Sequence, residues 1–391
     1  KVSADGRICV LSREGASNRR NGIVIVSVVD PRNPVILSEF DDELTGGVHN
    51  VFVYEDHVYA LSAGRRYDII DISDPRAPRR VGSFELDTPG HSIHDVWVAD
   101  GLAYSSNWGD GVVIVDVGNG IAGGSPENPV QVGQYVYPSG WNHAAFPDID
   151  EETGRHYVIA GDEAFPYGLH VQDSPTYPRG WLHFIDFTDM QNPREAARYQ
   201  VPEAGTHNLW VEGDLLYAAY YNGGLRVIDI SGELMGDLYR QGREIGWFLP
   251  TDREGFIPNA PMTWGPQPHK GRIFFSDWNT GLWAVELSPE GVRFSRFERG
   301  ELRGWRRARR AVAASPPRRG LLGLRGVRVL RRGPPRALRA RARPRRGRED
   351  DRRRRAADRD RGPARSHRRA RRAPLVPDDG ARQAVRAALQ V

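Results

Sequence analysis

Cysteine and lysine are almost missing from this chain. Among 391 residues there is one cysteine, Cys9, so an intrachain disulfide and a thiolate-rich zinc site are both excluded. Lysine occurs only at Lys1 and Lys270; the other cations are arginines, a bias expected of GC-rich coding DNA. No apolar run approaches the ~18 residues of a membrane-spanning helix. Residues 1–300 carry no sustained helical periodicity with capping signals. The G-x-S-x-G, H-E-x-x-H and Walker patterns are missing too, which removes the commonest hydrolase, zinc-protease and nucleotide-binding motifs. "GNGIAG" (118–123) has dinucleotide-loop spacing, but it runs into "GSPENP" instead of a helix and reads as a turn. The chain starts at Lys1 in mid-pattern, so a signal peptide would belong upstream of it.

The net charge of +5 is the balance of two unlike parts. Residues 301–391 hold 31 Arg and 8 acids, a net +23, whereas residues 1–300 hold 24 basic and 42 acidic residues, a net −18. The acidic part has no charge basis for binding nucleic acid. The basic part ("RGWRRARRAVAASPPRRG", "RARPRRGREDDRRRRAADRDRG") is Arg, Ala, Pro and Gly with little to bury. It reads as a disordered tail or as the product of a shifted reading frame; a nucleic-acid-binding arm would mix in Lys and aromatics, and only Trp305 is there.

What the first 300 residues do have is a repeat. "VHNVF" (48–52), "IHDVW" (93–97), "NHAAF" (142–146) and "THNLW" (206–210) recur, each followed by a phrase such as "YDIIDISDPRAP" (67–78), "VVIVDVGNG" (112–120), "LHFIDFTDMQNP" (182–193) or "LRVIDISGEL" (225–234). "IVIVSVVDPRNP" (23–34) and "LWAVELSPEG" (282–291) are an earlier and a later member. With Ser27, Asp71, Asp116, Asp186, Asp229 and Glu286 as markers, the steps are 44, 45, 70, 43 and 57 residues. The short steps match the ~40–45 residues of a four-stranded propeller blade, and the long ones are the same unit with insertions. Within one unit, "HDVWVAD" alternates, "GLAYSSN" follows a D-G turn, "GVVIVDV" is the continuous apolar run of a strand buried on both faces, and "PVQVGQY" is a polar outer strand. A single blade cannot bury both faces, but blades stacked around an axis can. The expected fold is therefore an all-β propeller over residues 1–300. Six blades are visible, the first without its inner strand, and seven are expected in the intact protein.

These phrases, with "HNLWVEGDLLYAAYYNGGLRVIDIS" (207–231), resemble the LVIVD-repeat family over about residues 1–298. The resemblance implies a β-propeller of bacterial or archaeal origin, exported to the periplasm, cell surface or medium. It brings no catalytic motif with it.

The functional candidates follow from placing the histidine phrase on the blade. Each histidine opens an innermost strand, so His49, His94, His143 and His207 are expected to gather at one mouth of the central channel. Aligning "PMTW" (261–264) with "HNLW" puts Pro261 in the histidine slot of the last unit. The neighbours Asn50, Asp95 and Asn208 are candidate partners. The loops between second and third strands open on the same face, and they supply Trp108, Asp162, Glu163, Tyr221 and Trp278. Three readings fit: structural locks between blades; a transition-metal site, since convergent imidazoles suit Zn, Cu or Fe; and a polar mouth for an organic or peptide ligand. "DIDEETG" (148–154) spaces its acids like a calcium loop but sits in a simple hairpin. The functional expectation is a monomeric binding module for a protein, glycan or other surface ligand. The alternative is a metal-dependent oxidoreductase or hydrolase with a histidine-lined site.

A chain ending at residue 300 is expected to melt at the temperature of the full chain, because residues 303–391 lack the apolar side chains to offset ordering entropy. Circular dichroism melts of the two lengths check this.

Overall fold

The computed structural model describes residues 1–150, 153–166 and 177–288, and the backbone of 291–296. The basic tail lies outside the described residues, as do 151–152 of the acidic turn and 167–176 of the long insertion. Among the described residues there is no helix; six sheets follow one another along the chain as the blades of a propeller. They are the six units read from the repeat, and a seventh is not among them.

Blade three illustrates the plan. Its strands Asp95–Ala99, Leu102–Ser106, Val112–Asp116 and Val130–Tyr135 form an antiparallel meander from the channel outward. Blade one has three strands, Ile8–Arg13, Gly22–Ser27 and Val35–Phe40, with residues 1–3 held beside the first by a single bridge from Val2 to Cys9. Blade four carries an added edge, where Arg194–Tyr199 pairs in parallel with Gly236–Asp237 from an insertion in blade five.

Burial explains the patterning. The third strand of blade three is buried at every position. The period of two sends its side chains alternately to the two neighbouring blades. Val113 and Val115 pack toward blade two with Tyr59, Tyr67 and Ile69. Val112 and Ile114 pack toward blade four with Ala145, Val158 and Ile185. Five such apolar clusters fill the five spaces between successive blades. At ~1.5–3 kcal/mol for each buried Val, Ile or Tyr-sized side chain, these spaces hold the ring together.

A β-bulge recurs where third and fourth strands pair, at Ile25/Val26, Ile69/Ile70, Ile114/Val115, Phe184/Ile185 and Val227/Ile228. In each of these five blades the outer strand carries one extra residue, and that residue is Leu37, Val81, Val132, Ala196 or Ile245. All five are half-buried against the clusters. The bulge thus turns an apolar side chain inward on an otherwise polar strand and adds the local twist a blade needs.

The repeated acid after the third strand is a turn lock. Asp71, Asp186 and Asp229 each accept the backbone N–H two residues on, from Ser73, Thr188 and Ser231. Asp116 goes further: its buried carboxylate accepts N–H groups from Gly118, Gly120, Ala122 and Gly124. This is what "GNGIAG" folds around, so the glycine-rich phrase is a turn, as read. Burial alone would raise the Asp116 pKa, but the four amides outweigh it and hold the carboxyl down at about 2.

Asp116→Ala leaves four amides without their acceptor and is expected to cost about 2–3 kcal/mol in urea unfolding. The folded pKa lies below the ordinary 3.8, so the stabilisation is present above pH 4 and lost as pH falls from there toward 2. The variant's stability should lack this part of the acid dependence.

Candidate functional site

Each inner strand after the first opens with one extra residue. In blade four, Asn142 faces Asp162 and Ala144 faces Gly161, which leaves His143 in a bulge. In blade six, Thr263 faces Asp277 and Gly265 faces Ser276, which leaves Trp264 in the same place. In blade two one residue is extra between Val48 and Val51. In blades three and five the histidine and its successor share one partner, Ser106 and Ala219 respectively. The slot residues are therefore His49, His94, His143, His207 and Trp264. The expectation that Pro261 fills the slot of blade six is corrected by this register: "WGPQ" (264–267), not "PMTW", aligns with "HNLW".

The bulge decides what faces the channel. In a regular strand, residues three apart lie on opposite faces. Here both the histidine and the aromatic three residues later point inward. The imidazoles form one contiguous row, with ring centroids 4.6 Å apart for His49–His94, 4.1 Å for His94–His143 and 4.2 Å for His143–His207. The row continues to Trp264, 5.3 Å from His207. One layer further in, Phe52, Trp97, Phe146 and Trp210 form an aromatic collar with centroids 4.3–5.8 Å apart. Against the collar lies a cavity of ≈ 160 Å³ lined by Lys1, Asp95, Trp97, Asn208 and Gln267 among others.

Second-to-third loops roof the row. Trp108 packs edge-on against His94 at 4.8 Å, and Tyr221 against His207 at 5.2 Å. Both residues have left-handed backbones, φ 46° and 30°, a conformation that costs a bulky residue ~1–3 kcal/mol and is retained where it aims a side chain. Gly111 and Gly224 close these loops at φ 72° and 75°. A Cβ there would meet the carbonyl oxygens of Tyr135 and Phe248 at 2.1 and 2.2 Å, so only glycine fits.

From the loop of blade four comes Glu163, half-buried, with a carboxylate oxygen 3.6 Å from His143 Nε2 and the other 4.0 Å from His207 Nε2. Tyr221 donates its phenol O–H to this carboxylate, and Trp264 Nε1 donates to Tyr221 Oη at 3.1 Å. Asp162, the other acid of that loop, is not at the mouth. It is buried against His183 (Nε2–Oδ2 3.1 Å) and accepts from Ser139 Oγ, while the other nitrogen of His183 meets Glu195. Burial opposes charge on His183, but the two carboxylates win and lift its pKa to about 9. This buried ion triad anchors the strand end from which Glu163 projects.

Hydrogen bonds fix the tautomers. His94 Nδ1 donates to the carbonyl of His143 at 3.3 Å, and His207 Nδ1 to the carbonyl of Trp264 at 2.6 Å. A carbonyl can only accept, so each ring keeps its proton on Nδ1 and its lone pair on Nε2. His143 is 1% exposed, and neither of its nitrogens has a hydrogen-bond partner. Burial pushes its pKa well below the ordinary value, with the neighbouring imidazoles adding to the effect. Burial likewise brings His94 to about 4 and His207 to about 3. His49 is the exception: its hydrogen bond to Glu14, Nδ1–Oε2 2.8 Å, raises its pKa against burial. Burial also raises the Glu163 carboxyl, partly offset by the Tyr221 hydrogen bond.

One ligand atom each from His94, His143 and Glu163 lie within 4.8 Å of one another. The remaining sequence candidates hold their neighbours. Asn50 Nδ2 donates to Asp95 Oδ1 at 2.7 Å, the Asn208 N–H donates to Trp264 O, and Trp278 stacks on Trp264 at 4.7 Å. Sequence reasoning missed Trp264, hidden by the bulge, and Glu14. Glu14 belongs to the same class of second-to-third loop, so the topology that found Trp108 could have found it.

The molecule is thus a six-bladed β-propeller with a histidine-lined, one-ended channel mouth. Its sequence carries LVIVD repeats: the family model of that repeat matches residues 45–85, 90–136 and 205–233. Similar solved structures include the Myceliophteria thermophila Cps50 (Swd1) beta-propeller domain, 10% identical with a TM-score of 0.46 over 72% of this chain and 80% of that one. The computationally designed Ika8 protein is 9% identical with a TM-score of 0.42 over 72% and 71%. No curated protein matches the chain.

In chelator, His143→Leu is expected to leave stability unchanged or raise it by up to ~1 kcal/mol, since it removes a buried unpaired polar group. His207→Leu should instead cost about 1 kcal/mol by unpairing the Trp264 carbonyl. The depressed folded pKa values of His94 and His207 make their contribution complete above pH 6.5 and lost as pH falls toward 4 and 3. Urea unfolding of both variants across pH 3–7 reads all three effects.

Proposed function

We propose that the channel mouth binds one divalent transition-metal ion through His94, His143 and Glu163, with His207 beside them as a fourth donor. The observation that carries this reading is His143, an almost fully buried imidazole with two unpartnered nitrogens, facing a carboxylate and two further imidazoles. Were the histidines only locks between blades, His143 would be the one most in need of a partner, and it has none. Imidazole with carboxylate suits Zn, Cu, Fe or Mn. A tetrahedral ion with ligands at ~2.0–2.1 Å needs donors roughly 3.4 Å apart. The donor atoms, within 4.8 Å of one another, would have to draw closer by side-chain rotation when an ion binds. The Nδ1–H bonds to backbone carbonyls orient Nε2 as second partners do at metal sites. A mixed imidazole and carboxylate donor set supports the metal-dependent reading anticipated from the sequence. The exposed indoles of Trp141, Trp264 and Trp278 near the same mouth support a second role, docking of a surface ligand.

Elemental analysis and calorimetric titration with Zn²⁺ and Cu²⁺ test the proposal. One ion per chain is expected, with His143→Ala and Glu163→Gln each weakening binding about 100-fold, or ~2.7 kcal/mol. Binding unaffected by both substitutions, or none tighter than ~1 mM, would overturn it.

A further inference from the structure

The metal reading leaves one chain of side chains unexplained. It begins at Glu163, passes through the phenol of Tyr221 to the indole of Trp264 by two hydrogen bonds, and ends on Trp278, stacked at 4.7 Å and 24° on Trp264. Tyr221 is 1% exposed, whereas Trp264 and Trp278 are 37% and 38% exposed. Tyrosine and tryptophan are the side chains most easily oxidised by one electron. Here they run without a break from the buried candidate ligand to solvent. A hydrolytic ion would have no use for such a path. The left-handed turn itself is shared with Ala63 and Trp108 at the same place in their blades, but only at Tyr221 does it carry a phenol between a carboxylate and an indole.

We infer that Tyr221, Trp264 and Trp278 carry single electrons between the metal site and a one-electron redox partner at the exposed indoles, so that the bound ion is redox-active. The inference rests on the metal reading above. The partner's chemistry is a one-electron acceptor that meets Trp278 at the surface. Its first step takes one electron from the Trp278 indole. Trp278 is refilled from Trp264, and Trp264 from Tyr221, whose phenol proton passes along the hydrogen bond to Glu163. A copper(I) ion held by these ligands would then reduce the tyrosyl oxygen, becoming copper(II), and the proton would return from Glu163. The acceptor gains one electron, the copper loses one, and the three side chains and the proton end where they began.

Flash oxidation with photogenerated ruthenium(III) tris-bipyridine tests this in two arms. In the metal-free protein, the indole radical should decay into a tyrosyl radical, about tenfold faster than in Tyr221→Phe. In the copper(I)-loaded protein, the copper(II) electron paramagnetic resonance signal should rise about tenfold more slowly in Tyr221→Phe at unchanged copper content. Trp278→Phe should slow it about threefold, because Trp264 is itself partly exposed. Equal indole decay in wild type and Tyr221→Phe overturns the relay whatever the metal does. A working metal-free relay in a protein that takes up no copper overturns the metal reading instead.

Discussion

One extra residue at the head of each inner strand governs the chemistry of this molecule. A strand alternates its faces, so a histidine and an aromatic three positions apart belong on opposite sides. The bulge adds one residue and brings both to the channel. Without it, either the imidazoles or the collar would turn into the space between blades, where burial suits neither a titratable ring nor a bulky indole. The same insertion frees the backbone carbonyls of His143 and Trp264 to accept from the imidazole of the preceding blade. The bulge therefore sets ring orientation, tautomer and the ladder between blades together.

Electrostatics then divide the row. Four imidazoles in a row, each within about 5 Å of the next, could not all carry charge, and three are kept neutral by burial and by their neighbours. Only His49, more open and bonded to Glu14, favours the proton. The carboxylate that faces the neutral three comes from a strand end held by the His183–Asp162–Glu195 ion triad. That triad has opposite logic: there the imidazole is charged because two acids flank it. Adjacent residues, Asp162 and Glu163, thus serve a rigid foundation and the channel mouth.

The propeller was legible because burial on both faces makes third strands continuous apolar runs, and because the acid at the end of each run recurs at a blade-length step wherever no insertion intervenes. The histidines could be placed at one end because they share a position on the blade. What period and spacing could not reveal is a one-residue slip. "HNLW" and "TWGPQ" look unrelated until the bulge is counted, so Trp264 was read past and Pro261 put in its place. Nor could composition separate Asp162 from Glu163, since their partners lie 21 and 58 residues away. Asp116 shows the reverse: a phrase resembling a nucleotide loop becomes a turn because one carboxylate gathers four amides.

The bulged slot also has an evolutionary side. It sits in a unit that genes copy whole, and it tolerates His or Trp without disturbing the pairing around it. Duplication or loss of one repeat changes the number of residues facing the channel mouth by one, while every surviving side chain keeps its own geometry within its blade. Such a ring can shift between a coordination sphere and a plain aromatic lining by point substitution at a single position per repeat. Donor number in this architecture is then a matter of copy number rather than of refolding.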